Sequence, residues 1–492
     1  MLIRNRHWKP LRYRWVGMAL LYLTCCAVFA QEIDGSGAPP ARGTTPPRDV
    51  LDLSRAWRLA LAHDPVYRAA ISEQAASKTE RAQGRAGLLP QIHAGYYRGK
   101  VTGSATQPSP LGRQIGSSLD YDSYNAYVQL QQPLVDYASY ADYRRGNARA
   151  DMGTAVYMVK RQETGIRLAA AYFNALLAYD ELALQRSLTS SLQDQTADVE
   201  ARYRQHEATR IDAQETRARL ALARADVIDA HDQWVVAQRE LEALLGAAPT
   251  HMVLLRDDFP LPPPMPPDLD EWLANARINN AKVRSARLAV NVASTDVDVA
   301  ASRYMPTTDL VATYGKAKSE KLSSLSQRTN TFSIGIQISI PLFAGGYNRA
   351  NVSRARSDLR RVQHEFNATL EATWAEVTRQ YTNVQAGADH IVALQAAVAS
   401  GELSLESARK GFLLGVTSNL EALKAQDRLY QTRYELSKAR LEYLLAHLKL
   451  AAAAGELNSD TFDHINDTYL GPVVALTRPE LGGSVLVASV DK

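Results

Sequence analysis

Two stretches of this chain spell the same order of elements, 216 residues apart. Around Pro90 the sequence reads AGLLPQIHAGYYRGK and then YNAYVQLQQPLVDYASY; around Pro306 it reads ASRYMPTTDLVATYGK and then TFSIGIQISIPLFAGGY. Each copy is a pair of strand-like runs embedded in very long helical sequence. An internal duplication of this size constrains the fold before any single motif is weighed. Asp64, Arg68 and Pro90 align with Asn280, Arg284 and Pro306 at the offset of 216. After the strand loops the offset settles near 209, aligning Asp212 with Glu421 and Gly246 with Gly455. A half-β, half-coiled object is expected rather than a globular enzyme.

In the first copy, helix is expected over 51–88 and stopped by Pro90, with strands over 91–101 and 121–132 separated by a loop over 102–119. Pro133 ends the second strand. A proline-free run predicts helix over 138–204, a break near 206–210, and a second helix ending at Gly246. Sixty-odd residues of helix extend about 100 Å, too long for a compact domain. The linker 259–269, FPLPPPMPPDL, is an extended, semi-rigid connector. The second copy repeats the pattern: helix 271–303, strands 307–318 and 329–340, helix 347–410, a break over 411–418, and a helix to Gly455. The organisation is therefore a first repeat over 51–258, the linker, a second repeat over 270–455 and an irregular tail over 456–492.

Seven-residue spacing runs through the helices. Leu220, Val227, Trp234 and Leu241 fall on one seam, and Leu429, Leu436, Tyr443 and Leu450 on its counterpart. Three positions on lie Ala223, Ala230, Ala237 and Leu244, then Thr432, Ala439 and Ala446. Large residues at one seam position and small at the other permit close helix approach. The longest seam is Leu370, Val377, Val384, Ile391, Val398, Leu405 and Phe412, and a sustained heptad implies left-handed supercoiling.

The start of the chain reads as a secretory signal over 1–30. Arg4, Arg6, Lys9, Arg12 and Arg14 precede an apolar run from Trp15 to Val28, and V-F-A closes at Ala30. The run is short for a membrane anchor. A flexible Gly/Pro/Ser/Thr-rich segment, 31–50, follows. Removing the five basic residues of the signal takes the formal charge from +4 to −1, so the basicity is a targeting feature rather than a nucleic-acid footprint. Both cysteines, Cys25 and Cys26, lie in the signal, so the mature chain holds no disulfide and no thiol metal site. Thr24 and Cys25 are poor contexts for lipidation.

The second strand of the second copy puts Phe332, Ile334, Ile336, Ile338 and Ile340 on one face, with Ser333, Gly335, Gln337 and Ser339 on the other. Such alternation over about ten residues marks a transmembrane β-barrel. A water-facing sheet with one buried face would alternate in the same way. The signal peptide, and the lack of other sheet sequence to pack against, favour the barrel. Four strands cannot close around a lumen. A dimer gives a barrel that side chains nearly fill, and a trimer leaves room for a channel. Tyr96, Tyr97, Tyr121, Tyr124, Tyr127, Tyr137 and Tyr140 cluster around the first strand pair, where an interfacial girdle is expected.

Four runs carry a resemblance to a known family: AWRLALAHDP at 56–65, AGLLPQI at 86–92, IPLFAGGYNRANVSRA at 340–355, and GVTSNLEALKAQDRLYQTRYELSKARLEYL at 415–444. Their order and duplication make the chain, over roughly 51–455, resemble the TolC family of outer-membrane efflux and secretion channels. The resemblance implies an α+β membrane protein: a homotrimer with a twelve-stranded barrel in outer-membrane lipid, continued by a long periplasmic α-helical tunnel. It implies docking by a periplasmic adaptor and by an inner-membrane ABC transporter or proton-driven pump. The implied cargo is an exported protein, as in type I secretion of RTX-like toxins, or else a small molecule in drug efflux.

No motif for catalysis stands out. Walker-type GK[ST], GxGxxG, HExxH and GxSxG motifs are absent and the ten histidines are scattered, so no enzyme, cofactor, metal or nucleic-acid partner is expected. The helix–helix breaks are the functional candidates, with Gly411, Gly415, His206, Thr209 and Thr417 as turn residues. The resemblance places Glu421 and Lys424 where an acidic ring closes the entrance, and Asp212 and Arg440 where coils are locked together. Lys424 departs from the pattern, since an acid is usual there; at i, i+3, Glu421 and Lys424 are also placed to pair on the helix surface. A structural coiled-coil protein of the envelope, with the strands as a soluble cap, is the reading from a different class.

Overall fold

The computed structural model describes residues 50–108, 112–323 and 325–475; the signal expected over 1–30, the lead-in expected over 31–50 apart from Val50, and 476–492 of the expected tail lie outside them. In chain order the elements are β1 (Val50–Leu51), α1 (Leu53–His63), α2 (Pro65–Ala86), β2 (Gln91–Pro108), β3 (Gln114–Asp136), α3 (Tyr137–Arg204), α4 (Arg210–Leu245), β4 (His251–Leu255), α5 (Leu269–Asn279), α6 (Ala281–Ser302), β5 (Thr307–Ser323), β6 (Leu325–Ser339), α7 (Tyr347–Leu413), α8 (Asn419–Ala454), α9 (Ser459–Tyr469) and β7 (Leu470–Ala475). The 68-residue α3 and 67-residue α7 each run about 100 Å. No described helix is long and apolar enough to cross a membrane.

The expected helices 51–88 and 271–303 are each interrupted once. Asp64 ends α1 and caps α2: its carboxylate accepts from the backbone N–H groups of Val66 and Tyr67, both at 3.2 Å, and Pro65 fills the first helical position. Asn280 does the same work in the second copy, accepting from Lys282 N at 2.8 Å and Val283 N at 3.0 Å. A side-chain cap offers the backbone an alternative to the continuous ladder, and composition alone hides it. Both caps are buried and satisfied, Asp64 by Arg167 and Thr164, Asn280 by donating to Ala453 O at 2.8 Å.

Two antiparallel coiled pairs carry the heptad seams. α4 lies along α3 and α8 along α7. Trp234, Leu241, Ala223, Ala230 and Ala237 are buried in the first pair, and Val377, Val384, Ile391, Leu429, Tyr443 and Leu450 in the second. α2 and α3 approach so closely that a Cβ on Gly146 would sit 2.4 Å from Glu80 O, which only glycine permits.

The four long strands form one antiparallel sheet in the order β2-β3-β5-β6. They are longer than expected: the loop read over 102–119 is mostly strand, and β3 continues through Pro133 to Asp136. Pro133 is tolerated because β3 pairs with β2 only as far as Gln131; beyond it the strand has β5 alone as a neighbour, with a bulge between Pro133 and Val135. Register carries the alternation across all four strands. Ile92 stands opposite Leu130, Leu130 opposite Ala312 and Ala312 opposite Ile334; the next row is Ala94, Val128, Tyr314 and Phe332. Their common face is apolar and open, with Phe332 71% exposed and Ile334, Ile336 and Ile338 each above 60%. Tyr96 and Tyr124 share that face. Tyr97, Tyr121 and Tyr127 have the opposite parity and lie on the polar one, so the seven-tyrosine girdle reduces to fewer side chains.

A second sheet, β1-β4-β7, has three short strands that hydropathy patterning did not reveal. Val50–Leu51 pairs with His251–Met252, which pairs in turn with Val474–Ala475. The tail expected to be irregular is thus partly built in. Phe462, Ile465 and Tyr469 fall on one face of α9 and are buried, with Phe462 stacked on Trp57 at 4.8 Å between centroids. The proline linker is fastened rather than free. Tyr443 Oη donates to Pro262 O at 3.1 Å, Trp272 Nε1 to Pro266 O at 2.8 Å, and Tyr381 Oη to Pro267 O.

Candidate functional site

Both helix breaks fold into the same turn. In the first, Glu207 N donates to Arg202 O (2.8 Å) and His206 N to Tyr203 O (3.1 Å). In the second, Val416 N donates to Gly411 O (2.8 Å) and Gly415 N to Phe412 O (3.1 Å). Each bond maps onto its counterpart at the offset of 209. The turn needs one left-handed residue to satisfy the last helical carbonyls. Gly415 supplies it at φ 70°, and His206 supplies it at φ 64°, the lone non-glycine described residue with positive φ. Gly411 is needed for a second reason: a Cβ there would lie 2.7 Å from Thr417 Oγ1, which donates to Ala408 O at 3.0 Å. A left-handed side-chain-bearing residue costs about 1–2 kcal/mol. Replacing His206 with glycine is therefore expected to raise the thermal melting point of the helical portion slightly, and Gly415→Ala to lower it. Circular dichroism melts of the two variants check this.

The helices that leave these turns are capped differently. Thr209 caps α4 and Asp212 closes the box, its carboxylate accepting from Thr209 N at 3.0 Å and from Thr209 Oγ1 at 2.6 Å. Ser418 caps α8 through Glu421 N at 3.3 Å, with no return bond from the Glu421 carboxylate. Glu421 stays exposed, and so do Lys424 and Arg428, on one face of α8. Among the described residues no ion pair joins Glu421 to Lys424, and both side chains are exposed.

The structure does not bring Asp212 and Arg440 together. Asp212 lies beside the first residue of α8, since Asn419 Nδ2 donates to its main-chain oxygen at 3.4 Å. Arg440 is 21 residues further along α8 (440 minus 419), about 30 Å up the helix axis. There it is half-buried against the linker, its guanidinium 5.4 Å from the Phe259 ring centroid. Burial lowers its pKa, while Asp257 and Asp180 raise it. Asp180 is itself pushed up to about 6 by burial, opposed by a hydrogen bond from Ser437 and by Arg440.

What the heptad reading missed is a polar column on α8. Asn419, Gln426, Arg433, Arg440 and His447 repeat every seven residues, three positions before the apolar seam. Asn419 and Gln426 are fully buried. Asn419 ties three helices: Gln195 Nε2 of α3 donates to its Oδ1 at 3.0 Å, and its Nδ2 donates to Thr216 Oγ1 of α4 at 2.8 Å. Arg409 of α7 donates to Gln426 Oε1 at 3.1 Å and to Ser191 Oγ at 2.9 Å. Arg433 pairs with Glu402 at 2.6 Å, and Arg219 of α4 with Asp427 at 2.5 Å. Several buried polar atoms find no partner within the chain, and four belong to this column or its neighbour: Gln195 Oε1, Gln426 Nε2, Arg440 Nε and His447 Nε2. Polar residues at a coil seam fix register at a cost in stability. No group of acidic, histidine or cysteine side chains among the described residues could hold a metal ion.

The outer membrane efflux protein family model matches residues 56–247 and 272–456. The chain is 35% identical over 410 residues to the alkaline protease secretion protein AprF of Pseudomonas aeruginosa, covering 83% of this chain and 85% of that protein. It is 31% identical over 421 residues to the proteases secretion protein PrtF of Dickeya chrysanthemi, covering 83% and 89%. Its fold resembles that of the CmeC outer membrane channel of Campylobacter jejuni, with a TM-score of 0.71 at 16% identity over 85% of this chain and 89% of that one.

Proposed function

The chain belongs to the outer membrane efflux protein family, and from that premise we propose that three copies form the exit duct of a type I protein secretion machine. The protein resides in the cell outer membrane with a large periplasmic portion. The observation that carries the trimer is the sheet. Among the described residues β2 and β6, 18 and 15 residues long, are edge strands unpaired on their outer side, and one face of the sheet is apolar and open. Unpaired backbone at an edge is intolerable in hydrocarbon, so β6 of each copy pairs with β2 of the next and the barrel closes at twelve strands. The two coiled pairs of each chain continue that wall as a periplasmic tunnel, and three duplicated chains approximate sixfold symmetry.

The turns form the inner end of the tunnel. Leu414 and Val416, nearly four-fifths exposed, and Ile211 at 69% offer an apolar tip to a periplasmic adaptor. The duct makes and breaks no bonds; an inner-membrane ABC transporter supplies the energy, and adaptor contacts stabilise the open state. The secretion branch rests on the likeness to AprF and PrtF, which extends over more than four-fifths of the chain. Deleting the gene should remove specific proteins from the culture medium and trap them in the cells, with drug susceptibility unchanged. Loss of drug resistance with secretion intact would overturn the reading in favour of an efflux duct.

In the trimer Glu421 and Lys424 become stacked rings of three charges each. The rings oppose one another, so the entrance binds cations more weakly than two acidic rings would. Lys424→Asp is expected to tighten block by a trivalent cation by about tenfold, from the charge change alone. Glu421→Ala should abolish the block. Planar-bilayer conductance measures both, and insensitivity to either change would place these side chains outside the lumen.

A further inference from the structure

Beyond the apolar rows, the same face of the long-stranded sheet changes character within two residues. Tyr96, Ala126, Lys316 and Asn330 form one cross-strand row, and Arg98, Tyr124, Lys318 and Arg328 form the next. Lys100 follows on β2, opposite Asp122. Arg98, Lys100, Lys316 and Arg328 are exposed. Two carboxylates share the face among the described residues: Asp120 lies 2.9 Å from Lys100, and Asp122 lies 4.0 Å from Arg98. Leaving Lys318 aside, four exposed cations, Arg98, Lys100, Lys316 and Arg328, stand against these two acids, and the ion pairs of Arg98 and Lys100 are open to water. Aromatic rings mark the change of level, and Lys316 Nζ lies 5.8 Å from the Tyr314 ring centroid. The next apolar row, Ala94, Val128, Tyr314 and Phe332, is about 13 Å along the strand from the Arg98 row.

Position gives this rim its partner. α2 and α6 run into β2 and β5, and β3 and β6 run out into α3 and α7, so all four helices that adjoin the sheet meet it at one end. The cationic rows lie towards the other end. With the helices in the periplasm, that end meets the outer leaflet. We propose that this rim is a collar that binds the phosphate groups of outer-leaflet glycolipid, anchoring the barrel from outside. The proposal rests on the reading that the apolar face meets lipid. The charges complement an anionic headgroup layer and sit immediately beyond the hydrocarbon rows, where a phosphate would lie. Arg98 and Arg328 stand on the two edge strands, so joining copies edge to edge closes the collar.

The full-length protein, purified in detergent, would be reconstituted into phosphatidylcholine vesicles carrying diphosphoryl lipid A or its dephosphorylated form. Lipid retained after mild re-extraction is then counted by native mass spectrometry. The wild type should retain the diphosphoryl lipid preferentially. Arg98→Gln with Lys316→Gln and Arg328→Gln should lower that retention about tenfold or more. The charge-preserving set Arg98→Lys, Lys316→Arg and Arg328→Lys should keep it. Equal retention of the two lipids, or by the glutamine variant, overturns the collar, as does displacement of the lipid by inorganic phosphate, which would mark a free-anion site. Failure of the wild type to float with pure phosphatidylcholine vesicles would instead overturn the barrel reading beneath it.

Discussion

Replacing Asn419 with leucine is expected to make the channel leak, raising mean single-channel conductance severalfold at unchanged ionic strength. Asn419 is 1% exposed and holds α3, α4 and α8 together through one side-chain amide. Leucine has similar volume but no polar atom. It leaves the Gln195 amide without its acceptor, beside a Gln195 Oε1 that already has no partner in the chain. It also removes a donor from Thr216 Oγ1 and from Asp212 O. A buried polar group left unpaired costs about 1–3 kcal/mol. In the proposed trimer three copies feel this at once, and a few kcal/mol is enough to move a two-state gate through most of its range. Asp212→Ala is the comparison. It removes a capping box worth about 1 kcal/mol and leaves the main-chain oxygen that Asn419 uses, so its conductance change should be small. The reverse order, a leaking Asp212→Ala with a silent Asn419→Leu, would mean that carboxylate contacts rather than the buried amide hold the coils. Bilayer recordings of both variants, with melting curves to show that each is folded, decide between them.

The apolar columns of the coils were legible because large and small residues repeat every seven positions over several turns, and burial follows them from Ala223 to Leu450. The polar column was equally periodic in the sequence. It went unread because a glutamine or arginine at heptad spacing is also what a solvated face looks like. Only the helices on the other side, bringing Gln195, Arg409 and Ser191, turn it into a seam. The turns were legible as breaks, but nothing local in the sequence places His206 in the conformation that Gly415 takes; the parallel emerges from the duplication. Strand ends were read too short because the outer parts of β2 and β3 are rich in glycine, serine and threonine. Those residues hold strand geometry through pairing with each other. The small three-stranded sheet escaped because its strands come from positions 50, 251 and 475, and each is too short to show a period. Arg440 was legible only as a position on the last long helix: its surroundings within the chain, Phe259 and Asp180, come from segments far away in sequence, about 30 Å from the turns.

Ile336→Arg should abolish accumulation in the outer membrane, and Ser333→Arg should leave it largely intact. The two positions lie three residues apart on β6 and differ in which face they use. Ile336 is 65% exposed between Ile334 and Ile338 on its own strand and stands opposite Leu310 of β5. If that face meets hydrocarbon, an arginine there costs about 2–4 kcal/mol near the bilayer midplane, and the proposed threefold symmetry applies that cost three times. The sum, of order 6–12 kcal/mol, is comparable to the whole stability of an ordinary domain. Ser333 stands opposite Thr313, on the face that carries Gly335 and Gln337, and in the proposed barrel it faces water. An arginine there adds charge to a wetted wall at little cost. Membrane fractionation, with heat-dependent mobility of the trimer on gels, measures both. A soluble cap on a structural coiled coil predicts a different result. Its open isoleucine face would have to be covered by protein, both variants would remain soluble, and neither would sediment with the membrane. Equal tolerance of the two arginines would therefore remove the barrel, and with it the argument that the unpaired edges of β2 and β6 must close between copies.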